Sequence, residues 1–287
     1  MYTCIILLLI VVFCLLFLTQ RSTRQREPKT VIAVIASNGE HYERMKDIWI
    51  RNVQGACNTN IHVYFLYGNG NGITPIDKSC NMYDFRVPCE ESPKNILYKT
   101  LYFYNWLTRF SNINPDIVIR SNLSTVFHLD HLQKSLLPLT QYHNLFAGTF
   151  VHGFLGSDTW FSGTNFTLSI PAIKLLLEHS QRLLKSDLND DVVISTFIFK
   201  NFAEDFYFCN FPRIDFHDTT LFQYCNITDY DKVFCFRFKS SDRMTDARNM
   251  HRFIDSSLDP TSLFDESNTY ELTGNEESAM NVFTLVR

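Results

Sequence analysis

Three clusters of polar residues carry the chemistry open to this 287-residue chain. The first is Arg120-Ser121-Asn122-Leu123-Ser124-Thr125, which follows the apolar run Ile117-Val118-Ile119 and precedes a second one, Val126 to Leu132. A buried strand that stops at polar residues is how an α/β sheet presents a ligand site at a strand's carboxyl end. The second is the acidic pair Asp190-Asp191, directly before the apolar Val192-Val193-Ile194. Carboxylates are favourable at the positive end of a helix, so starting a helix is one use for the pair. The third is a basic segment from Arg237 to Arg252, which reads either as a solvated face or as a surface for an anion. No H-E-x-x-H, paired C-x-x-C, G-x-S-x-G or Walker loop occurs. The loop Gly68-Asn69-Gly70-Asn71-Gly72 lacks G-x-G-x-x-G spacing and opens no helix, so it reads as a turn.

The elements that must position these clusters alternate. Val31 to Ala36 is a continuous, β-branched apolar run, the signature of a buried parallel strand. His41 to Val53 reads as a helix, Ile61 to Tyr67 as a second strand, and Cys80 to Cys89 holds a short one. Ser92 and Pro93 open a helix as N-cap and first helical residue, with the apolar stripe Leu97, Leu101, Tyr104 and Leu107. Pro115 ends it before the strand at Ile117. Further on, Phe146 to Phe154 reads as a strand, and Trp160 to Ser169 as a turn entering another. A helix then starts at Ser169 and Pro171 and runs through Leu183 and Leu184, and aromatic strands follow around Phe206 to Phe211. Strand, helix, strand in this order predicts an α/β fold, a single Rossmann-like domain with a mostly parallel sheet flanked by helices.

The 26 Phe and 13 Tyr against only 10 Gly and 9 Pro argue for a packed core, and the net charge of −4 gives no electrostatic footprint for nucleic acid. Residues 1–18 read as a transmembrane signal-anchor, since Tyr2 to Leu18 is apolar apart from Thr3 and no small-x-small cleavage site follows it. The expected order is this anchor, a linker at 19–30, a domain at 31–254 and a polar tail at 255–287. The location expected is a single-pass type II membrane protein facing the Golgi or endoplasmic reticulum lumen. Arg21, Arg24 and Arg26 pull the other way, because the positive-inside rule would keep that flank in the cytosol. Cys57, Cys80, Cys89, Cys209, Cys225 and Cys235 suit either up to three disulfides or buried thiols. Of three N-x-[ST] sequons, Asn122 and Asn165 fall in core or site segments, leaving Asn226 for a glycan.

Four segments in order resemble the β-1,3-galactosyltransferase/Fringe-type family of glycosyltransferases. Tyr42-Glu43-Arg44 through Trp49 is similar to that family's E-R-R first-helix pattern. Glu91-Ser92, Asn95, Leu97 and Lys99-Thr100-Leu101 resemble its D-S-x-x-N-L-T-L-K-T-L helix. Asp158 to Ser169 resembles its Y-x-S-G-x-x-Y-x-L-S turn, with Ser162-Gly163 in place. Leu188 to Val192 resembles its L-E-D-V element.

The resemblance implies a GT-A fold over roughly residues 31 to 220, and inverting transfer of a hexose or N-acetylhexosamine from a nucleotide sugar, usually UDP-linked, to a glycan or glycoprotein. It gives Asp191 the role of catalytic base, with Asp190 beside it, and assigns Trp160, Ser162 and Gly163 to the acceptor. The family's D-x-D metal motif falls on Asn122-Leu123-Ser124, where both carboxylates are missing. Neutral oxygens are weak ligands for a hard cation, so Mn²⁺ or Mg²⁺ would bind poorly through Asn122 and His217. Basic side chains then offer the charge a diphosphate needs: Arg120 and Lys99, with Arg237, Lys239 and Arg243, beside Ser121, Asn122 and Ser124. The alternative is a catalytically inactive relative that binds carbohydrate or acts as a scaffold.

Overall fold

The computed structural model describes residues 26–56, 58–152, 159–217, 220–224, 233–258 and 271–275, the segments 220–224 and 271–275 by backbone alone. The chain begins with β1 (Thr30–Ile35), α1 (Glu40–Ala56), β2 (Ile61–Tyr67), β3 (Gly72–Asp77) and β4 (Met82–Arg86). It continues through α2 (Ile96–Arg109), β5 (Ile117–Asn122), β6 (Thr125–Phe127), α3 (Leu129–Leu136), β7 (Leu145–Gly148), β8 (Phe150–His152) and β9 (Thr159–Phe161). Then come β10 (Asn165–Ser169), α4 (Ile170–Glu178), a short α5 (Ser180–Leu183), α6 (Asp190–Phe202) and β11 (Tyr207–Asn210). Last are β12 (Arg213–Phe216), β13 (Thr220–Tyr224), β14 (Cys235–Phe238), α7 (Arg243–Asp255) and β15 (Glu271–Asn275).

An eight-stranded sheet, in the order β11-β7-β10-β5-β1-β2-β4-β3, forms the frame. Its centre is the parallel block β5-β1-β2-β4, with every residue of β1 buried. β10 and β3 run antiparallel to their neighbours, so the sheet is mixed around a parallel core. The sequence pattern conceals β3, an exposed edge strand carrying Pro75, because a polar edge lacks the apolar run that marks a buried one. β1 leads through α1 to β2 on one side while β5 lies on its other side, so the strand order reverses at β1 and β5. A crevice at the carboxyl ends of those two strands is where such sheets bind ligands.

Helices cover both faces. Met45, Ile48, Trp49 and Val53 of α1 pack on one face with Ala247, Met250 and Phe253 of α7. Leu97, Leu101 and Leu107 of α2, Ile173 and Leu176 of α4, and Ile194 and Ile198 of α6 pack on the other. Fully burying side chains of this size stabilises by roughly 1.5–3 kcal/mol each. Ser92 caps the first turn as expected, accepting the Lys94 N–H at 3.2 Å, although that turn is a 3₁₀ turn at Pro93–Asn95. The helix read through Leu184 breaks at His179 into α4 and α5.

A second sheet, β15-β13-β12-β14-β6, shares the α1 side of the core through Ile214, Phe216, Phe236 and Phe238. After β5 the chain passes through Leu123 and Ser124 directly into β6, so one strand tip joins the two sheets. Arg26 and Lys29, read as linker, bond Asp116 at the entry to β5, and β15 puts part of the expected polar tail into the second sheet. Cys80, Cys89, Cys209 and Cys235 are free thiols, so a framework of three disulfides is not formed; Cys57 and Cys225 lie outside the described residues. The apolar run Tyr2 to Leu18 also lies outside them, and among the described residues no helix is long and apolar enough to cross a membrane. Asn165 is buried, which removes it as a glycan site, and Asn226 falls outside the description.

Candidate active site

The carboxyl ends of β1 and β5 open on a cavity of about 290 Å³. Ile35 at the end of β1 and Ser37 just after it, Asn122, Leu123 and Ser124 at the β5 tip, and Tyr42 of α1 form one part of its wall. Glu91 to Pro93, Ile96 and Lys99 supply another, and Arg237 and Arg243 close it. Five residues expected to hold a donor therefore meet in one place: Lys99, Asn122, Ser124, Arg237 and Arg243. Arg237 arrives by strand pairing. β14 lies antiparallel to β6 with Arg237 opposite Thr125, and the Phe238 N–H donates to the Ser124 carbonyl at 2.8 Å. The basic segment is thus two elements, a strand end and the helix α7 that opens at Arg243.

The wall between β1, β2 and α2 is knitted by Lys99 and Glu91. Lys99 is fully buried, and its Nζ donates to Glu91 Oε1 at 2.6 Å and to the Ala36 carbonyl at 3.4 Å. Glu91 Oε2 accepts the Gly68 N–H at 2.6 Å. A Cβ on Gly68 would meet the Cys89 carbonyl at 2.8 Å, so this approach requires glycine. The first glycine of the loop read as a turn therefore fixes Glu91, which sequence reading left out of the site. Ser37-Asn38-Gly39 after β1 was the signal for this wall, since it is the other half of the strand-end crevice.

Arg120 and Asp190 stand differently from what was expected. Both are buried, and Arg120 Nε and Nη2 reach Asp190 Oδ2 and Oδ1 at 2.9 and 2.8 Å. Thr100 Oγ1 donates to the same carboxylate at 3.0 Å, and Arg120 Nη1 donates to the Gly163 carbonyl. Burial pushes the Asp190 carboxyl above its ordinary value, and the Arg120 guanidinium pulls it back. The guanidinium fork is thus committed inside the protein, and neither residue lines the cavity. This corrects Arg120 as a donor contact and Asp190 as a catalytic group: the pair fastens α6 to β5. Ser121 is also fully buried outside the lining, on the opposite face of β5 from Arg120.

Asp191, one residue on, is half-buried. Its Oδ2 accepts the Gly163 N–H at 2.8 Å and its Oδ1 the Val192 N–H at 2.9 Å. A Cβ on Gly163 would come within 2.6 Å of Arg120 Nη1 and 3.1 Å of Asp191 Oδ2. The close approach that this glycine permits is therefore by the protein's own side chains, and Ser162-Gly163 positions Asp191. Ser162 is itself buried and accepts a hydrogen bond from Thr164 Oγ1 at 3.1 Å. Trp160, half-buried on β9, keeps a partly open ring. Because Asn165 pairs with Ser121, this turn and the start of α6 lie at the same end of β5 as the cavity.

A divalent metal does not fit this donor set. Asn122 Oδ1 already accepts from Ser124 Oγ at 3.1 Å and Thr125 Oγ1 at 2.9 Å, which shapes the β5 tip as it turns into β6. Among the described residues Glu91 is the one carboxylate lining the cavity, and it is held by Lys99. His217 is half-buried just past β12. Among the described residues no three His, Cys, Asp or Glu come together as a metal group. Lys239 does not line the cavity, but its ammonium titrates below the ordinary lysine value, chiefly because of Arg237 and then burial.

No protein-family model and no curated protein matches the chain. Among solved structures it is similar to the galactosyltransferase LgtC in complex with donor and acceptor sugar analogs, at 12% identity and TM-score 0.43, over 79% of this chain and 94% of that one. It is also similar to a glycosyltransferase involved in glycosylation of the major capsid of PBCV-1, at 8% identity and TM-score 0.43, over 78% and 99% of the two chains. The functional assignment rests on the site's own geometry.

Proposed function

We propose that the chain is a GT-A-type glycosyltransferase that moves a hexose or N-acetylhexosamine, with inversion, from a UDP-linked sugar to a hydroxyl of a glycan or glycoprotein. The single supporting observation is the cavity at the β1/β5 switch point, lined by Lys99, Arg237 and Arg243, with the Asp191 carboxylate at the same sheet end. In this reading the cavity takes the nucleoside diphosphate and Asp191 takes the proton of the acceptor hydroxyl. That oxygen bonds to the anomeric carbon as the carbon–phosphate-oxygen bond breaks, and its electron pair leaves with the nucleoside diphosphate. Two main-chain N–H bonds orient the carboxylate and leave a lone pair on each oxygen for the hydroxyl. Trp160 offers a ring face to the acceptor sugar. Tyr2 to Leu18 completes the proposal as a type II anchor that holds the domain in the Golgi or endoplasmic reticulum lumen.

The test is UDP release from a panel of UDP-sugars by the detergent-solubilised full chain, with and without glycan acceptors. Release that rises with one acceptor and falls about 10²–10⁴-fold in Asp191→Asn is the expected result. No turnover of any donor, with Asp191→Asn behaving as the unaltered chain, replaces this reading with that of an inactive carbohydrate-binding or scaffolding relative.

A further inference from the structure

The residues before β1 are fastened across the end of the sheet opposite the cavity. Thr30 pairs with Ile61 and Ile117, so β1, β2 and β5 start level with one another. Just before Thr30, Arg26 Nη2 donates to the two oxygens of Asp116 at 3.2 and 3.1 Å, and the Lys29 N–H donates to Asp116 Oδ2 at 2.7 Å. Lys29 Nζ donates to the Ile113 carbonyl at 3.0 Å, and Asn58 and Asn60 donate to Glu27 Oε2 at 3.4 and 3.2 Å. Residues 26 to 29 are thereby tied to both connections that enter neighbouring strands, α1 to β2 and α2 to β5. Only residues 19 to 25 separate Arg26 from the apolar run that ends at Leu18, and seven residues reach at most about 25 Å when fully extended.

We propose that the domain seats this strand-entry end on the lipid bilayer, with Phe110 at the interface and the β1/β5 cavity opening away from it. The inference rests on the proposed anchor at Tyr2 to Leu18 and deepens it. α2 returns from the exit of β4 to the entry of β5, which brings its C-terminal cap, Phe110, to the anchored end. Phe110 is 71% exposed, the most open large apolar side chain among the described residues, and follows the exposed Arg109. One exposed ring is ordinary on a protein surface. This one stands beside a tether too short for the domain to leave the membrane, and a ring at the acyl boundary with an arginine among the headgroups is how proteins hold to that interface. The six residues of β1 rise about 20 Å from the entry end to the cavity end. The acceptor hydroxyl must therefore stand about a strand's length above the lipid, which fits a glycan carried on a protein rather than a sugar linked directly to a lipid of the same membrane. Leu188, 62% exposed beside Asp190, lies at the far end and makes the contrast testable.

The test is photolabelling of the full chain in phosphatidylcholine vesicles that contain a small fraction of a phospholipid with a headgroup diazirine. Labelled peptides are mapped by mass spectrometry. Labels are expected on the segment from Phe110 to Asp116 severalfold above those on the segments around Leu188 and Arg237 to Arg243. Phe110→Ser should lower that labelling severalfold while leaving the melting temperature in detergent unchanged, since the position is exposed. Even labelling of both ends, labels concentrated around Leu188, or undiminished labelling of Phe110→Ser would overturn the inference. Alkaline carbonate extraction separates this failure from that of the anchor. A chain that stays in the carbonate-washed membrane keeps the anchor reading even where the labelling fails, whereas a chain released by carbonate overturns both.

Discussion

At the scale of single residues, the acidic pair divides its labour by one position. Asp190 points into the protein and meets Arg120; Asp191 points to the Gly163 turn and stays half-open. Breaking a buried ion pair leaves an uncompensated charge and costs roughly 3–5 kcal/mol. Asp190→Asn should therefore lower the melting temperature markedly. The double change Arg120→Met with Asp190→Leu should recover much of it, because removing both charges removes the penalty. A thermal melt of the three proteins checks this, and a double variant no more stable than Asp190→Asn would show that the pair is not the fastening. Asp191→Asn should melt close to the unaltered chain and lose turnover instead. Nothing in the sequence separates these two carboxylates. Adjacent aspartates look alike until burial is known, and burial depends on a strand 70 residues away.

At the scale of elements, α1 and α7 join α2 in presenting the cavity. Trp49 on α1 donates from its indole nitrogen to the Leu123 carbonyl at 3.2 Å, which ties the helix to the β5 tip. Trp49→Phe keeps most of the packing but strands that buried carbonyl, at a cost of about 1–3 kcal/mol. It should raise the donor KM severalfold with a smaller change in kcat, and an unchanged KM would mean that the tip holds its shape without it. On α7, Asp242 is the N-cap: the Thr245 Oγ1 hydroxyl donates to it at 2.8 Å and the Met244 and Thr245 N–H groups at 3.1 and 3.0 Å, and these bonds, the hydroxyl's first, lower its pKa. A carboxyl whose folded pKa lies below its unfolded one stabilises fully above the unfolded value, and the gain is lost as pH falls through the folded one. Asp242→Ala should thus melt below the unaltered chain at neutral pH, with the gap closing below about pH 4. A gap that persists undiminished in acid would exclude the carboxylate as its source. The core strands and helices were legible because apolar runs and periodicity mark them, as Val31 to Ala36 and the Leu97 stripe show. β12 and β14 were not, since strands of four residues give too short a pattern, and Arg237 on β14 was absorbed into a basic segment.

At the scale of the whole molecule, the site exists because two sheets share one strand tip. Asn122 to Ser124 leaves the large sheet and enters the small one, and the small sheet returns Arg237 to the same point. The position of this tip was readable from the apolar run that ends at Arg120. Its cations were named only through the family resemblance, and how they reach the tip was not readable, because the pairing of Arg237 with Thr125 joins residues more than 100 positions apart. In the proposed reading a nucleotide sugar is held at the tip by guanidinium and ammonium groups, with Asp191 on the acceptor side. A crystal structure of the full chain with UDP, grown in EDTA, tests this most directly. The account predicts the diphosphate in the β1/β5 cavity, within hydrogen-bond reach of Arg237 and Arg243. A nucleotide bound anywhere else, or a diphosphate in that cavity touching neither arginine, would contradict it.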